Sequence, residues 1–408
     1  MKHRLPLLTE HLIVPLLALL ILSACIPRSS RDPTAGPPGR GQTLPQLHLP
    51  EQETDFRAAW IPYFICERLL SEPDEAACRA QITDYLIALR ERGIHAVFVH
   101  ICPFGEMLFP SEYYPLSAAA GGHDAAALFA DACEAADMSL HLWLNPLRLQ
   151  TEDAMALHHD DSRLSQIFRD PQRRERCIFV SEGRCYLNPA AEETADFLGG
   201  AVTELLRHCP TAAGVHIDDY FYPSPETAAD AALFSASGET DLAAWRRGRV
   251  SALVKRLCGA VHAAKDGAVF SVSPQGILPL NRDTLFADVT RWLAEPGYCD
   301  MMLPQLYFGY ENETCPFKET LAEWAALPRA EGVRLAAGLA AYKTGERDDF
   351  AGSGAEEWQR DGTVLQREIA DVCADAAFTG IGLYHSDAVL AQDVTLPCGA
   401  GGHDSQAG

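Results

Sequence analysis

The stretch GVHIDDYFYP, residues 214–223, ends an apolar run in two adjacent carboxylates, Asp218 and Asp219, with aromatics directly after them. A carboxyl group can give up a proton or stabilise a developing positive charge. Two carboxyls divided between those tasks cleave glycosidic bonds. On a strand, His216, Asp218 and Tyr220 share one face; if that face meets the interior, Asp219 turns to the opposite side or to the loop. The two acids therefore need not share a pocket: one can do chemistry while the other holds a loop. An Asp pair after a strand also serves as a plain turn or helix cap, so its meaning depends on its surroundings.

Other strand-like runs end in similar polarity. LHLWLNP at 140 is followed by Arg148, and VFSVSPQG at 269 ends in Ser273 and Gln275. Gln305 and Tyr307 close CDMMLPQLYF, Tyr342 and Lys343 close RLAAGLAAYK, and Tyr384, His385 and Asp387 close GIGLYHSD. Glu106 follows the run AVFVHI, between Phe104 and Phe109. Rings that stack on pyranose C–H faces, together with amides and carboxylates for the hydroxyls, suit a sugar site. Asp218 is then the ionised partner. Glu106, Asp219 and Asp387 are candidates for the acid, and Glu106 is the first choice because its aromatic neighbours would shield it from water. Asn145, Arg148, His216, Tyr220, Gln305, Tyr307, Tyr342 and Asp387 are expected to contact substrate. Competing structural roles are core packing for Trp60 and Trp143, a rim charge for Lys343 and a hydrogen-bonded core position for His385.

These residues need a scaffold that gathers strand ends. Eight strand-like runs begin near residues 57, 96, 140, 214, 269, 299, 334 and 380, each followed by an amphipathic stretch. Ile82, Tyr85, Leu86 and Leu89 share one helical face, and Gly93 supplies a left-handed end. Leu198, Val202, Leu205 and Leu206 mark another helix. Leu253, Leu257 and Val261 lie in the longest one, about 240–265. Asp283, Phe317 and Glu356 stand near the starts of the rest. Eight such units predict an α/β fold, a (β/α)₈ TIM barrel, whose active site lies at the C-terminal strand ends. The first strand lacks the glycine-rich turn of a dinucleotide fold. Two long loops, from Leu147 to Leu187 and from Tyr222 to Glu239, would wall a cleft suited to a polymer.

The ends of the chain read differently. A basic start, an apolar stretch from Leu12 to Leu22 and the sequence LSAC predict a lipoprotein signal over 1–25, with Cys25 lipidated. Residues 26–53 form a Pro- and Gly-rich tether, 54–398 the barrel and 399–408 a frayed tail. The expected location is the cell envelope, on the periplasmic or outer-membrane face, with the membrane reached only through the lipid. A formal charge of −23, from 56 acids and 33 bases in 408 residues, argues against nucleic-acid binding. The 13 cysteines include no CxxC pair, and neither a metal cluster nor a nucleotide motif is evident. No cofactor and no metal are expected, and the chain is expected to be a monomer. Cys66 with Cys78, and Cys177 with Cys185, are near enough in sequence to bridge.

The motifs RAAWIPYF, CPFGEMLFPSEYYPLS, LHLWLNPLR, YLNPA, GVHIDDYFYP, SVSPQG and MLPQLYFGY occur in that order. Together they resemble the bacterial glycosyl-hydrolase-like family 10 of cell-wall hydrolases, from Arg57 to Asp387. The resemblance implies a (β/α)₈ barrel acting on envelope glycan, namely peptidoglycan strands. By position, Asp218 and Asp219 occupy its acidic pair, while Asn145, Arg148, Gln305 and Tyr307 line its cleft. Glu106 and Asn188 stand where relatives commonly carry Asp. Two other readings remain open from sequence: a barrel that binds glycan without cutting it, and a hydrolase of another polysaccharide.

Overall fold

The structure, a computed structural model, describes residues 56–219, 221–223 and 228–392. The signal segment with Cys25, the tether 26–53, Tyr220 and the tail 399–408 lie outside the described residues. All eight strand runs form where the spacing places them. They are β1 (Phe56–Ile61), β2 (Ala96–Cys102), β3 (Ser139–Leu144), β4 (Gly214–Ile217), β5 (Val269–Val272), β6 (Met301–Met302), β7 in two pieces (Arg334–Leu335 and Ala337–Leu339) and β8 (Gly380–Leu383). Every neighbouring pair is parallel. The first piece of β7 pairs with β6 and the second with β8, while β8 pairs with β1, so the sheet closes on itself as a (β/α)₈ barrel.

The helices that cover it begin where carboxylate caps allow. Asp74, Asp124, Asp241 and Asp288 accept backbone N–H groups at the starts of α1 (Glu75–Glu91), α2 (Ala125–Ala135), α4 (Leu242–Ala264) and α5 (Val289–Ala294). The remaining covering helices are α3 (Glu192–His208), α6 (Phe317–Ala325), α7 (Val364–Ala374) and α8 (Ser386–Ala391). Gly93, at φ 83°, follows α1 in the left-handed region as its position predicts. Asp283 does not start a helix. It ends a short one, Leu278–Asp283, which Pro279 opens in its first turn.

Alternation along the strands separates two cores. Ile61, Val99, Leu142, Ile217 and Val272 pack outward against the helices. Trp60, Phe98, Trp143, Met301 and Leu303 fill the barrel. Trp60 and Trp143 therefore face the axis, not the helical layer. Histidines share this interior. The His216 ring lies 4.1 Å from Phe98, and His141 lies 5.2 Å from it. An indole can only donate, so Trp60 Nε1 donates to His216 Nε2 at 3.0 Å, and His216 Nδ1 then donates to Ser271 Oγ at 2.8 Å. Burial pushes His100 down to about 3 and His141 down to about 4, and it holds His216 well below its ordinary value. All three imidazoles are neutral near pH 7.

Three expectations change. The stretch 147–187 is not an irregular loop. It holds the strands Arg148–Thr151, Ile178–Ser181 and Arg184–Leu187 in one antiparallel sheet, with three short helices between them. Part of the second long loop is the helix Ala231–Ser237, which ends at Gly238 (φ 74°). Cys66, Cys78, Cys177 and Cys185 are free thiols, with no bridge between the first two or between the last two. Cys66 Sγ and Cys78 Sγ instead donate to the carbonyls of Ile61 and Leu69.

The buried histidines set a pH dependence. An unfolded chain takes up protons below about pH 6.5 that the folded barrel refuses. Stability present above that pH is expected to fall progressively as pH drops toward 4. His141 contributes on the order of a few kcal/mol to that loss. Urea melts between pH 7 and 4 would show this slope, and His141→Gln should flatten it.

Candidate active site

The C-terminal ends of β3 and β4 meet at Asp218. β4 stops at Ile217, and the Phe221 N–H donates to the Asp219 carbonyl at 3.0 Å in a tight turn. The Gln275 side chain, beyond the end of β5, reaches Asp219, so Asp219 does not point away from the barrel. Both carboxylates are buried, 4% and 6% exposed, and they face different partners. The aromatics beyond them act as anchors: Phe221 packs on Trp292 at 5.3 Å and Tyr222 on Phe286 at 5.2 Å. Tyr222 Oη donates to Asp230 at 2.9 Å. Asp230 also receives Nε and Nη2 of the buried Arg246, each at 2.7 Å. This latch fixes the far end of the loop to α4.

Asp218 Oδ2 accepts from Trp143 Nε1 at 3.2 Å and from the Asn145 side-chain amide. Asn145 is oriented in turn by His100, whose Nε2 lies 2.9 Å from its Oδ1. The Asn145 N–H₂ group faces the Asp218 carboxylate, which can only accept, so Asn145 Oδ1 faces His100 and the neutral ring carries its proton on Nε2. Trp143 is held flat against His100, ring centroids 3.6 Å apart and planes within 10°. These donors favour a negative charge on Asp218.

Asp219 sits on the other side, toward β5 and β6. Gln275 Nε2 donates to its Oδ2, and Gln305 also bonds its side chain. Burial pushes the Asp219 carboxyl above the usual carboxylate range. The two amides and the charge of Arg148 pull it back only in part. Two neighbouring acids thus sit buried against different sets of donors, and Asp219 is the one whose carboxyl burial pushes up. Arg148 lies over the Phe104 ring at 4.9 Å, and Arg184 approaches the same ring at 5.4 Å.

Opposite the acids runs an arc of ring contacts. Phe104 meets Tyr63 at 5.0 Å, Tyr63 meets Phe64 at 5.5 Å, and Phe64 meets His385 at 5.4 Å. His385 stacks on Tyr342 at 6.3 Å, and Tyr342 and Tyr307 both contact Tyr384. Lys343 is not a solvated rim charge, since its Nζ bonds the Tyr307 carbonyl at 2.7 Å and Asp348 at 2.6 Å.

Several residues singled out from sequence lie apart from the pair or beneath it. Glu106 accepts from Ser117 Oγ at 2.8 Å and lies 3.2 Å from His158 Nε2. Phe109, expected to shield it, is fully buried and stacks on His208 at 4.0 Å. Asp387 pairs with Arg68 at 2.6 Å and accepts from Tyr85 Oη at 2.8 Å, which ties it to α1. His216 is fully buried below the mouth. Sequence reasoning passed over His100 and the Tyr63–Phe64 pair. Counting two residues on from Phe98 would have put His100 on the barrel face.

With this geometry in place, comparison with known proteins identifies the family. The model of the glycosyl hydrolase-like 10 family matches residues 55–352. The chain belongs to that family. It is 29% identical to the glycosyl hydrolase DigH of Escherichia coli (strain K12), over 81% of this chain and 82% of that protein. It is 26% identical to the glycosyl hydrolase YngK of Bacillus subtilis (strain 168), over 79% of this chain and 68% of that one. The solved β-galactosidase of the psychrophilic Marinomonas ef1 superposes with a TM-score of 0.51 at 12% identity, covering 83% of this chain and 58% of that one, and so shares the fold. The family and these relatives support glycoside hydrolysis as the activity and a glycan as the substrate.

Asn145→Ala removes an amide donor from Asp218 and the hydrogen-bond partner of His100. Turnover of a glycan substrate is expected to fall by about 10- to 100-fold, the worth of one charge-assisted hydrogen bond. Circular dichroism should be unchanged. Steady-state kinetics beside the spectrum checks both.

Proposed function

We propose that the protein hydrolyses glycosidic bonds in bacterial envelope glycan, with peptidoglycan glycan strands as the substrate, and that Asp219 and Asp218 form its acid and its ionised partner. The observation that carries this reading is two adjacent buried carboxyls that turn to different partners. Burial holds Asp219 above the usual carboxylate range, and Asp218 accepts from an indole and an amide. In such a pair the protonated carboxyl gives its proton to the leaving oxygen, and the ionised one stabilises positive charge at the anomeric carbon. Glu106, the first choice from sequence, bonds Ser117 and His158, so the acid role passes to Asp219.

The substrate class rests on three features. The arc of rings from Phe104 to Tyr307 offers faces for pyranose stacking. Arg148, beside Asp219, suits an acidic substituent such as a lactyl carboxylate. The LSAC sequence around Cys25 supports a lipid anchor that would hold the enzyme on the periplasmic or outer-membrane face.

The test is incubation with peptide-free and peptide-bearing peptidoglycan glycans, with products identified by mass spectrometry. Asp218→Asn and Asp219→Asn are each expected to lower turnover by ~10²–10⁴-fold while glycan binding persists. Binding with no turnover in the wild type would mark a glycan-binding barrel, and cleavage of other polysaccharides alone would redirect the substrate assignment.

The pH profile gives a second test. An amide N–H bond favours the charged carboxylate, so Gln275→Leu should raise the Asp219 pKa further. The protonated acid would then persist to higher pH, and the basic limb of kcat against pH should move upward relative to wild type. An unmoved limb would remove Asp219 from the acid role.

A further inference from the structure

At the opposite end of the barrel from the acids, three side chains of different chemistry converge. Cys258 and His262 are one turn apart on α4 and share a face. Asp300 stands directly before β6. Its backbone N–H donates to the Phe270 carbonyl at 2.9 Å, and its Oδ2 accepts the Phe270 N–H at 2.7 Å, which pins it to β5. His262 Nε2 lies 2.9 Å from the same oxygen. One ligand atom from each of Cys258, His262 and Asp300 lies within 4.8 Å of the other two. From this geometry we infer that Cys258, His262 and Asp300 form a structural binding site for a zinc-like divalent cation.

The donor set selects the metal. Calcium and magnesium require oxygen ligands. One sulfur, one imidazole nitrogen and one carboxylate oxygen suit zinc. Tetrahedral zinc, with bonds of about 2.0–2.3 Å, places its ligand atoms roughly 3.3–3.8 Å apart. His262 Nε2 and Asp300 Oδ2, at 2.9 Å, would open slightly to reach that spacing, and Cys258 Sγ, within 4.8 Å of a ligand atom on each, would close by at most roughly 1.5 Å. Burial differs in a useful way. Cys258 is 1% exposed, while the His262 and Asp300 side chains are 46% and 32% exposed. An ion would enter from the solvent side and meet sulfur on the inside, with water at the fourth position. Cys299 Sγ instead donates to the Trp292 carbonyl at 3.9 Å.

Binding balances simply. The Cys258 S–H bond breaks and its proton leaves to solvent. The His262–Asp300 hydrogen bond breaks and the Nε2 proton moves to Nδ1 by exchange with solvent, so that the thiolate, the His262 Nε2 lone pair and the Asp300 carboxylate each form a bond to the cation. Burial, with the charge of Asp300 beside it, pushes the Cys258 thiol up to about 12. A divalent cation reverses both effects. The site joins α4 to the N-terminal ends of β5 and β6, on the face of a barrel that serves stability and not catalysis. A Cys-x₃-His pair with its third ligand beyond the next strand fits no ribbon or finger spacing, so the sequence alone did not reveal it.

The experiment uses the full chain, stripped with a chelator and dialysed against zinc or cobalt. Expected results are one zinc per chain by mass spectrometry of metals, a higher Tm with zinc, and a thiolate-to-cobalt charge-transfer band in the near ultraviolet. Cys258→Ser should abolish the band. His262→Gln, at a half-exposed position that folding tolerates, should weaken zinc binding by roughly tenfold or more while leaving glycan turnover at the wild-type rate. No retained zinc, or retention as tight in His262→Gln as in wild type, overturns the proposal.

Discussion

The constraint on which the site depends is that Trp143 and Asn145 can only present hydrogen to Asp218. An indole has no acceptor, and the Asn145 oxygen is already held by His100. That arrangement requires a proton on His100 Nε2, which the neutral ring carries in one of its two tautomers. Its neutrality comes from the barrel itself, which buries His100, His141 and His216 among Trp60, Phe98 and Trp143, where a charge would be desolvated. The polar core below the mouth therefore does more than fill space. It sets the direction of each hydrogen bond that reaches the surface above.

Asp219 shows the complementary logic. It shares a peptide bond with Asp218 yet answers to β5 and β6. The mouth is thereby divided: carboxylates, amides and Arg148 on one side, and an arc of rings from β1, β6, β7 and β8 on the other. A sugar lying across it would meet hydroxyl-binding groups along one edge and flat apolar faces along the other.

Much of this was legible in the sequence. The strands announced themselves because apolar and alternating runs recur between amphipathic stretches, and the family motifs lie on their ends. The acid pair was visible for the same reason. What stayed hidden was direction. Strand period left Asp219 to the opposite side or the loop, and its contacts with Gln275 and Gln305 are not legible from that period. Asp387 stood at the correct strand end, yet its carboxylate reaches Arg68 and Tyr85 in the helical layer. The sheet within 147–187 was missed because strands of four residues carry almost no periodic signal. His100 was missed because a histidine inside a run of Val, Phe and Ile reads as an interruption, not as a member of the inner face.

Helix α4 is clamped at two levels. Near its start Arg246 grips Asp230 and so the root of the acid loop, and near its end His262 meets Asp300 beneath β6. Sixteen positions separate these grips, and each residue added or lost between them would rotate one against the other by about 100°. The helix can thus change length only by whole turns, and even then the clamps would part by about 5 Å. Its span behaves as a gauge block for the barrel: substitutions along its outer face are free to drift, while its residue count is not.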